Sequence, residues 1–170
     1  MKPDQLPDFV LPLKVVEKGY RVVYEPDAIL KEPTLSTAKD EYKMRVRVAL
    51  RAFWGLSDMR KLFLAGKNNL FALQLWSHKV LRYLGFIFLI GLYLFNWILW
   101  TEGIFYKACF IIQNLMYAGA LISPVFKKKG YISHMMYLCH YFALINIASA
   151  QAFLKFIFRQ KQILWTPRKG

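Results

Sequence analysis

From Tyr83 onward the chain runs for long stretches without a charge, and that pattern leaves few folds open to it. Residues 83–170 hold one acid, Glu102, and nine Lys or Arg set between apolar runs. Tyr83–Trp100 is uncharged for eighteen residues. As a helix it spans about 27 Å, enough for the hydrocarbon core of a bilayer. Trp97 and Trp100 close it in the manner of an aromatic belt. Ala108–Phe126 is a second such run, opened by Lys107 and closed by Lys127-Lys128-Lys129. The third, Gly130–Leu154, is longer and less pure. Its His134, His140, Asn146, Ser149 and Gln151 are costly against lipid and should face protein or water. The pattern excludes a water-soluble domain and predicts membrane segments at 83–101, 105–126 and 131–158.

The charge fits that picture. Lys+Arg number 24 against 10 Asp+Glu, a net +14. Residues 1–82 carry 15 Lys/Arg and 9 Asp/Glu. The basic residues flank membrane segments and form no nucleic-acid module, so nucleic acid is not an expected partner. The excess points to the cytoplasmic face of a lipid bilayer. Cys109 and Cys139 lie inside apolar runs, as small buried residues, and predict neither a disulfide framework nor a zinc site. Met1–Val10 has no basic stretch leading into an apolar one, so no signal peptide is read there. The expected location is the inner or plasma membrane, multi-pass, with the N-terminal segment cytoplasmic.

Topology carries a conflict. With residues 1–82 inside, the short Thr101–Gly103 loop is outside and the triple lysine returns to the cytoplasm, as the distribution of basic residues requires. A third full span puts Arg159, Lys161, Arg168 and Lys169 outside, against that rule. Gly130–Phe158 is therefore either a span that breaks the rule or a re-entrant or interfacial segment. Its length favours the span.

The first 82 residues read as cytosolic. Phe9–Val16 predicts a short helix stopped by Gly19. Tyr20-Arg21-Val22-Val23-Tyr24, between Gly19 and Pro26, predicts a buried strand, and Ala28-Ile29-Leu30 a further short one. Residues 37–57 predict a helix, with Thr37 and Asp40 as a variant capping box and Glu41 adding negative charge to the first turn. Tyr42, Val46, Ala49, Phe53 and Leu56 form its apolar face, while Lys43, Arg47 and Arg51 form a cationic stripe that composition alone reads as solvated. Residues 67–82 mix Trp76 with His78, Lys79 and Arg82 and predict an amphipathic interfacial helix. His78, with no carboxylate near it in sequence, reads as an interfacial anchor.

Three stretches taken together resemble the C-terminal part of a membrane-bound family 2 glycosyltransferase of the poly-N-acetylglucosamine, hyaluronan and cellulose synthase type. They are Leu6-Pro7-Asp8-Phe9-Val10-Leu11-Pro12-Leu13, Gly19-Tyr20-Arg21-Val22-Val23-Tyr24-Glu25-Pro26, and Glu41 leading into Arg45-Val46-Arg47-Val48. Ser77-His78-Lys79-Val80-Leu81-Arg82 and Trp165-Thr166-Pro167-Arg168 are similar to its membrane portion. The resemblance covers nearly the whole chain and rests on the order of short motifs.

The resemblance implies a mainly α membrane protein. Residues 1–35 would be the remnant of an α/β (GT-A-like) catalytic domain and 36–66 a cytosolic amphipathic helix with the acceptor and diphosphate motif. An interfacial helix at 67–82 and a membrane domain at 83–170 would follow. Asp8 matches the family's Asp-x-x-Leu stretch, whose Asp is the general base that takes a proton from the acceptor hydroxyl; Pro7 replaces the preceding acid. Arg47 is the one match to the Gln-x-x-Arg-Trp motif that helps hold the nucleotide diphosphate and acceptor sugar, with Met44 and Val48 departing from it. A guanidinium suits a diphosphate because its planar fork and permanent charge match phosphate oxygens. Lys43 and Arg51 are further candidates on the same stripe. No Asp-x-Asp occurs in the sequence, so no metal ligand is assigned. The complete enzyme would take Mg²⁺ or Mn²⁺, a nucleotide-sugar and a glycan acceptor. The donor-binding half would come from elsewhere, such as a separate chain, and this polypeptide alone is expected not to turn over. The alternative is a non-catalytic three-span membrane adaptor or assembly subunit with a basic cytoplasmic arm.

Overall fold

Helices account for every regular element of the computed structural model among the residues it describes, which are 5–31, 37–63, 69–125 and 131–162. The triple lysine at 127–129 and the terminal Trp165-Thr166-Pro167-Arg168 lie outside them. The helices group into two units: Met1–Arg82 with Gln151–Gly170, and Tyr83–Ala150.

In the first unit, α1 (Pro7–Glu17) begins with Pro at its first position, where the missing N–H costs nothing. Pro12 inside the helix removes the donor that would otherwise close on the Asp8 carbonyl. The end is a Schellman turn: Gly19 takes φ +85°, its N–H donates to the Val16 carbonyl at 2.9 Å, and Tyr20 N–H reaches the Val15 carbonyl at 3.1 Å. The stop expected at Gly19 is therefore present.

The strands expected after it are not. Residues 20–25 have no regular structure, and Val23 is 82% and Tyr24 85% exposed. No strand occurs among the described residues. A β-rich run has no ladder to join when no second strand offers its N–H and C=O groups. The α/β remnant is absent from the described fold for this reason.

Helix α2 (Ala38–Asp58) has the predicted cap. Asp40 N–H donates to Thr37 Oγ1 at 3.1 Å, and the Thr37 hydroxyl donates in turn to the Asp40 carboxylate at 2.6 Å. Asp thus closes the box on the hydroxyl. Glu41 and Arg45 pair one turn apart at 2.7 Å. Val46, Ala49, Phe53 and Leu56 are buried, as their spacing requires, and half-buried Tyr42 donates its hydroxyl to Gln151 Oε1 at 3.1 Å. Helix α1 crosses α2 where Gly55 leaves room. A Cβ on Gly55 would stand 2.9 Å from Val10 Cγ2 and 3.3 Å from Phe9 Cδ1.

A 3-10 turn (Arg60–Phe63) leads toward α3 (Asn69–Leu75), a π turn (Trp76–Val80) and α4 (Leu81–Tyr83). The chain then breaks at Leu84.

The second unit holds α5 (Gly85–Ile98), α6 (Ile104–Ile122) and the greater part of α7 (Tyr131–Ile157). Ile104–Ile122 and Ile132–Ile157, of 19 and 26 residues, are each long and apolar enough to cross a membrane. Asn69–Tyr83 and Gly85–Thr101 qualify as a third only when joined across the break. The chain therefore carries two or three such helices. Against the expected 105–126, α6 stops at Ile122, because Pro124 has no N–H with which to continue it.

Polar side chains inside these apolar helices find partners on one another. Asn96 Nδ2 donates to Gln113 Oε1 at 3.4 Å, Gln113 Nε2 to the Leu89 carbonyl at 3.4 Å, and the Tyr93 hydroxyl to Asn114 Oδ1 at 3.4 Å. These bonds join α5 to α6, and in a bilayer lipid would offer them no competing donor or acceptor. Among the polar residues of α7, Ser149 is buried, half-buried His140 places Nδ1 2.9 Å from the Ala120 carbonyl, and Asn146 donates back to the Phe142 carbonyl at 2.9 Å. His134 and Gln151 are exposed.

Candidate functional site

Asp8 sits on the first turn of α1, exposed, and forms no hydrogen bond or ion pair among the described residues. Its surroundings are nevertheless fixed. The Gln5 amide donates to the Asp58 carboxylate at the end of α2. Phe9 packs at Gly55 and lies 5.3 Å beneath the Lys79 ammonium. A carboxylate so placed is accessible to a hydroxyl-bearing acceptor on a turn anchored from both sides.

The cationic stripe of α2 divides by environment. Lys43 is exposed and Arg47 half-buried. Arg51 is only 8% exposed, and its Nε donates to the Gln162 backbone carbonyl at 3.1 Å. The stripe is therefore solvated at one end and covered at the other. Arg47 lies two turns before Gly55, where α1 crosses, a rise of about 12 Å along the helix. The structure places Asp8 and Arg47 in one unit without a hydrogen bond or ion pair between them. A diphosphate and a sugar acceptor held by these two groups would have to bridge that separation.

The covering element is one that sequence reasoning missed. The end of α7 packs on α2 through Phe153 and Phe156, at 5.6 and 5.7 Å from the Phe53 ring, with Phe156 also 4.8 Å from Trp54. The chain then turns sharply at Arg159, φ +54°. Gln160 N–H returns to the Lys155 carbonyl at 2.8 Å, and Arg159 N–H to Phe156 at 3.0 Å. This second Schellman turn carries Arg where Gly is usual. Past it, the Gln160 carbonyl accepts from Trp54 Nε1 at 3.1 Å and the Lys161 ammonium lies 5.1 Å over the Trp54 ring. Backbone carbonyls leave no mark in a residue pattern, so only the aromatic spacing of α2 and α7 hinted at this strap.

The π turn at 76–80 was equally hidden. Leu81 N–H reaches back five residues to the Trp76 carbonyl. The Ser77 hydroxyl donates to the Gln74 carbonyl at 3.2 Å, and His78 Nδ1 stands 3.1 Å from the same oxygen. The same Nδ1 stands 2.8 Å from the Ser77 hydroxyl, so the ring is tied to its own turn. His78 is exposed and has no carboxylate partner among the described residues.

No three His, Cys, Asp or Glu side chains converge among the described residues. These residues do not fit a divalent ion, and no chemical step can be assigned to one held by them. In the second unit an open apolar groove of about 410 Å³ is lined by Leu89, Tyr93, Phe142 and Ile147, with Asn146 as its polar member. Comparison with protein-family models, with curated proteins and with solved structures finds no match to this chain.

Proposed function

We propose that this chain is the acceptor-side and membrane-anchoring part of an inverting glycosyltransferase of family 2, acting at the cytoplasmic face of a cell membrane. In this reading Asp8 accepts the proton of an acceptor hydroxyl as it attacks the anomeric carbon of a nucleotide-sugar, and Arg47 holds the departing diphosphate with help from Lys43. Arg51 contributes by fixing the strap to α2. The α/β donor-binding half, with its Mg²⁺ or Mn²⁺, belongs to the complete enzyme. The observation that carries the reading is an exposed carboxylate on a turn anchored to the helix that bears Arg47, directly ahead of the membrane segments.

The same unit bears on topology. Phe153 and Phe156 pack on α2, which supports a reading in which the end of α7 and α2 share one side of a bilayer. That calls for an even number of crossings and brings Arg159 and Lys161 to the cytoplasmic face. An even number of crossings would agree with the basic-residue rule.

The adaptor reading draws on a different observation: Arg51 and Trp54, both on or beside the basic stripe, are engaged by backbone carbonyls. The two readings part on nucleotide binding. With the donor-binding half supplied, Arg47→Ala should weaken nucleoside diphosphate affinity by about tenfold or more, measured by calorimetry. Lys18→Ala should leave it unchanged. An Arg47→Ala chain that binds the diphosphate normally removes the phosphate role and leaves the adaptor.

A further inference from the structure

We propose that the helix Asn69–Tyr83, together with the 3-10 turn Arg60–Phe63 before it, is a docking surface for the anionic phospholipid headgroup layer. The inference needs only that the helices after Leu84 enter a membrane, so it stands or falls apart from the sugar-transfer reading.

Connectivity sets the location. Tyr83 is joined through Leu84 to Gly85, the first residue of α5, and two peptide links reach at most about 7.6 Å. The end of the Asn69–Tyr83 helix is therefore tied to the uncharged run 83–101, and its whole length is only about 22 Å.

Side chains set the chemistry. Ala72 and Leu75 are buried against the unit, while Leu70, Leu73, Trp76 and Leu81 are exposed. A helix that exposes these apolar side chains together with Gln74, Ser77, His78 and Arg82 suits neither bulk water nor the hydrocarbon centre. It suits the boundary between them.

Charge selects the lipid. No acid occurs between Asp58 and Glu102, whereas Arg60, Lys61, Lys67, Lys79 and Arg82 fall in that interval. Arg60, Lys61 and Arg82 are exposed and form no ion pair among the described residues. The Phe63 ring packs edge-on against Trp76 at 5.6 Å, which holds the Arg60–Phe63 turn to the helix. The cations of the turn are thereby held to the helix that exposes Leu70 and Leu73. A soluble acidic protein or a nucleic acid would engage the cations and leave Leu70 and Leu73 in water; an anionic bilayer satisfies both.

The test uses the full chain in nanodiscs of phosphatidylcholine and phosphatidylglycerol, with the relative affinity of spin-labelled forms of the two lipids measured by electron paramagnetic resonance. The native chain should prefer phosphatidylglycerol. Arg60→Gln, Lys61→Gln and Arg82→Gln together should cut that preference by about fivefold, the equivalent of one interfacial cation at full strength. A charge-matched control with Lys18→Gln, Arg21→Gln and Lys31→Gln should keep it. In a chain whose Cys109 and Cys139 are replaced by alanine, a nitroxide at Leu73→Cys should be open to oxygen and shielded from an aqueous nickel complex. This label also reports if the triple variant fails to fold. Equal affinity for both lipids, an equal loss in the control, or a Leu73→Cys label as open to nickel as one at Lys31→Cys would overturn the proposal.

Discussion

Arg51 Nε donates to the backbone carbonyl of Gln162 at 3.1 Å across a sequence separation of 111 residues, and so fastens the segment after α7 to the middle of α2. A charge-assisted bond of this kind contributes about 1.5–3 kcal/mol when buried, and the neighbouring Trp54 bond about 0.5–1.5 kcal/mol. Arg51→Ala should therefore raise the hydrogen-exchange rates of Gln160 and Lys161 by about tenfold or more. Trp54→Phe, which keeps the ring against Phe156 and removes only the N–H, should give a smaller rise. Unchanged exchange in Arg51→Ala would mean that the strap is held by α7 alone.

Arg159 occupies a left-handed conformation that costs a residue with a Cβ roughly 1–2 kcal/mol. Arg159→Gly should stabilise the turn by up to about 1 kcal/mol after the extra unfolded-state entropy of glycine is counted. A higher melting temperature in detergent checks this. Arg159→Val should lower it, because a β-branched residue tolerates positive φ least.

Gly55 separates two effects that usually travel together. Alanine gains about 1 kcal/mol of helix propensity over glycine. At Gly55, however, its Cβ would fall 2.9 Å from Val10 Cγ2, and Val10 has no exposure to retreat into. Overpacking of this sort costs about 1–3 kcal/mol. Gly55→Ala should thus destabilise the chain, while Gly91→Ala, where a Cβ meets nothing within 4 Å, should not. Equal thermal shifts in the two variants would remove the α1–α2 contact.

The packing of Phe153 and Phe156 on Phe53 makes a topological prediction. In inverted and right-side-out vesicles, single cysteines introduced as Lys31→Cys and Lys161→Cys should react with a membrane-impermeant maleimide from the same side. Opposite sides would require an odd number of crossings and would separate α2 from the end of α7.

What the residues revealed in advance follows from where each signal is stored. Uncharged length located α6 and α7 to within a few residues, because a bilayer responds to little else, whereas α5 lies inside the expected 83–101 but is long enough to cross only together with Asn69–Tyr83. The Thr37–Asp40 cap and the 4,3 spacing of Val46, Ala49, Phe53 and Leu56 located α2 and its buried face, since both are periodic and local. The Tyr20–Tyr24 run reads as a strand and forms none: β propensity describes a fit to a neighbouring strand, and none occurs among the described residues. Arg51 looked like one more solvated cation because its acceptor is a backbone carbonyl far along the chain. The π turn at Trp76–Val80 depends on which carbonyl a single N–H selects, a choice that leaves no compositional trace. Asp8 and Arg47 rest on resemblance, and only the structure shows that α1 crosses α2 at Gly55, two turns past Arg47.

The central claim rests on Asp8, and the rate of sugar transfer by Asp8→Asn tests it most directly. The measurement is made in membranes that contain the full chain and the donor-binding half. Asparagine keeps the shape and the exposure and removes the base. Transfer should fall by about a hundredfold or more, with the melting temperature and diphosphate affinity unchanged. An Asp8→Asn chain that transfers sugar at the native rate would contradict the account.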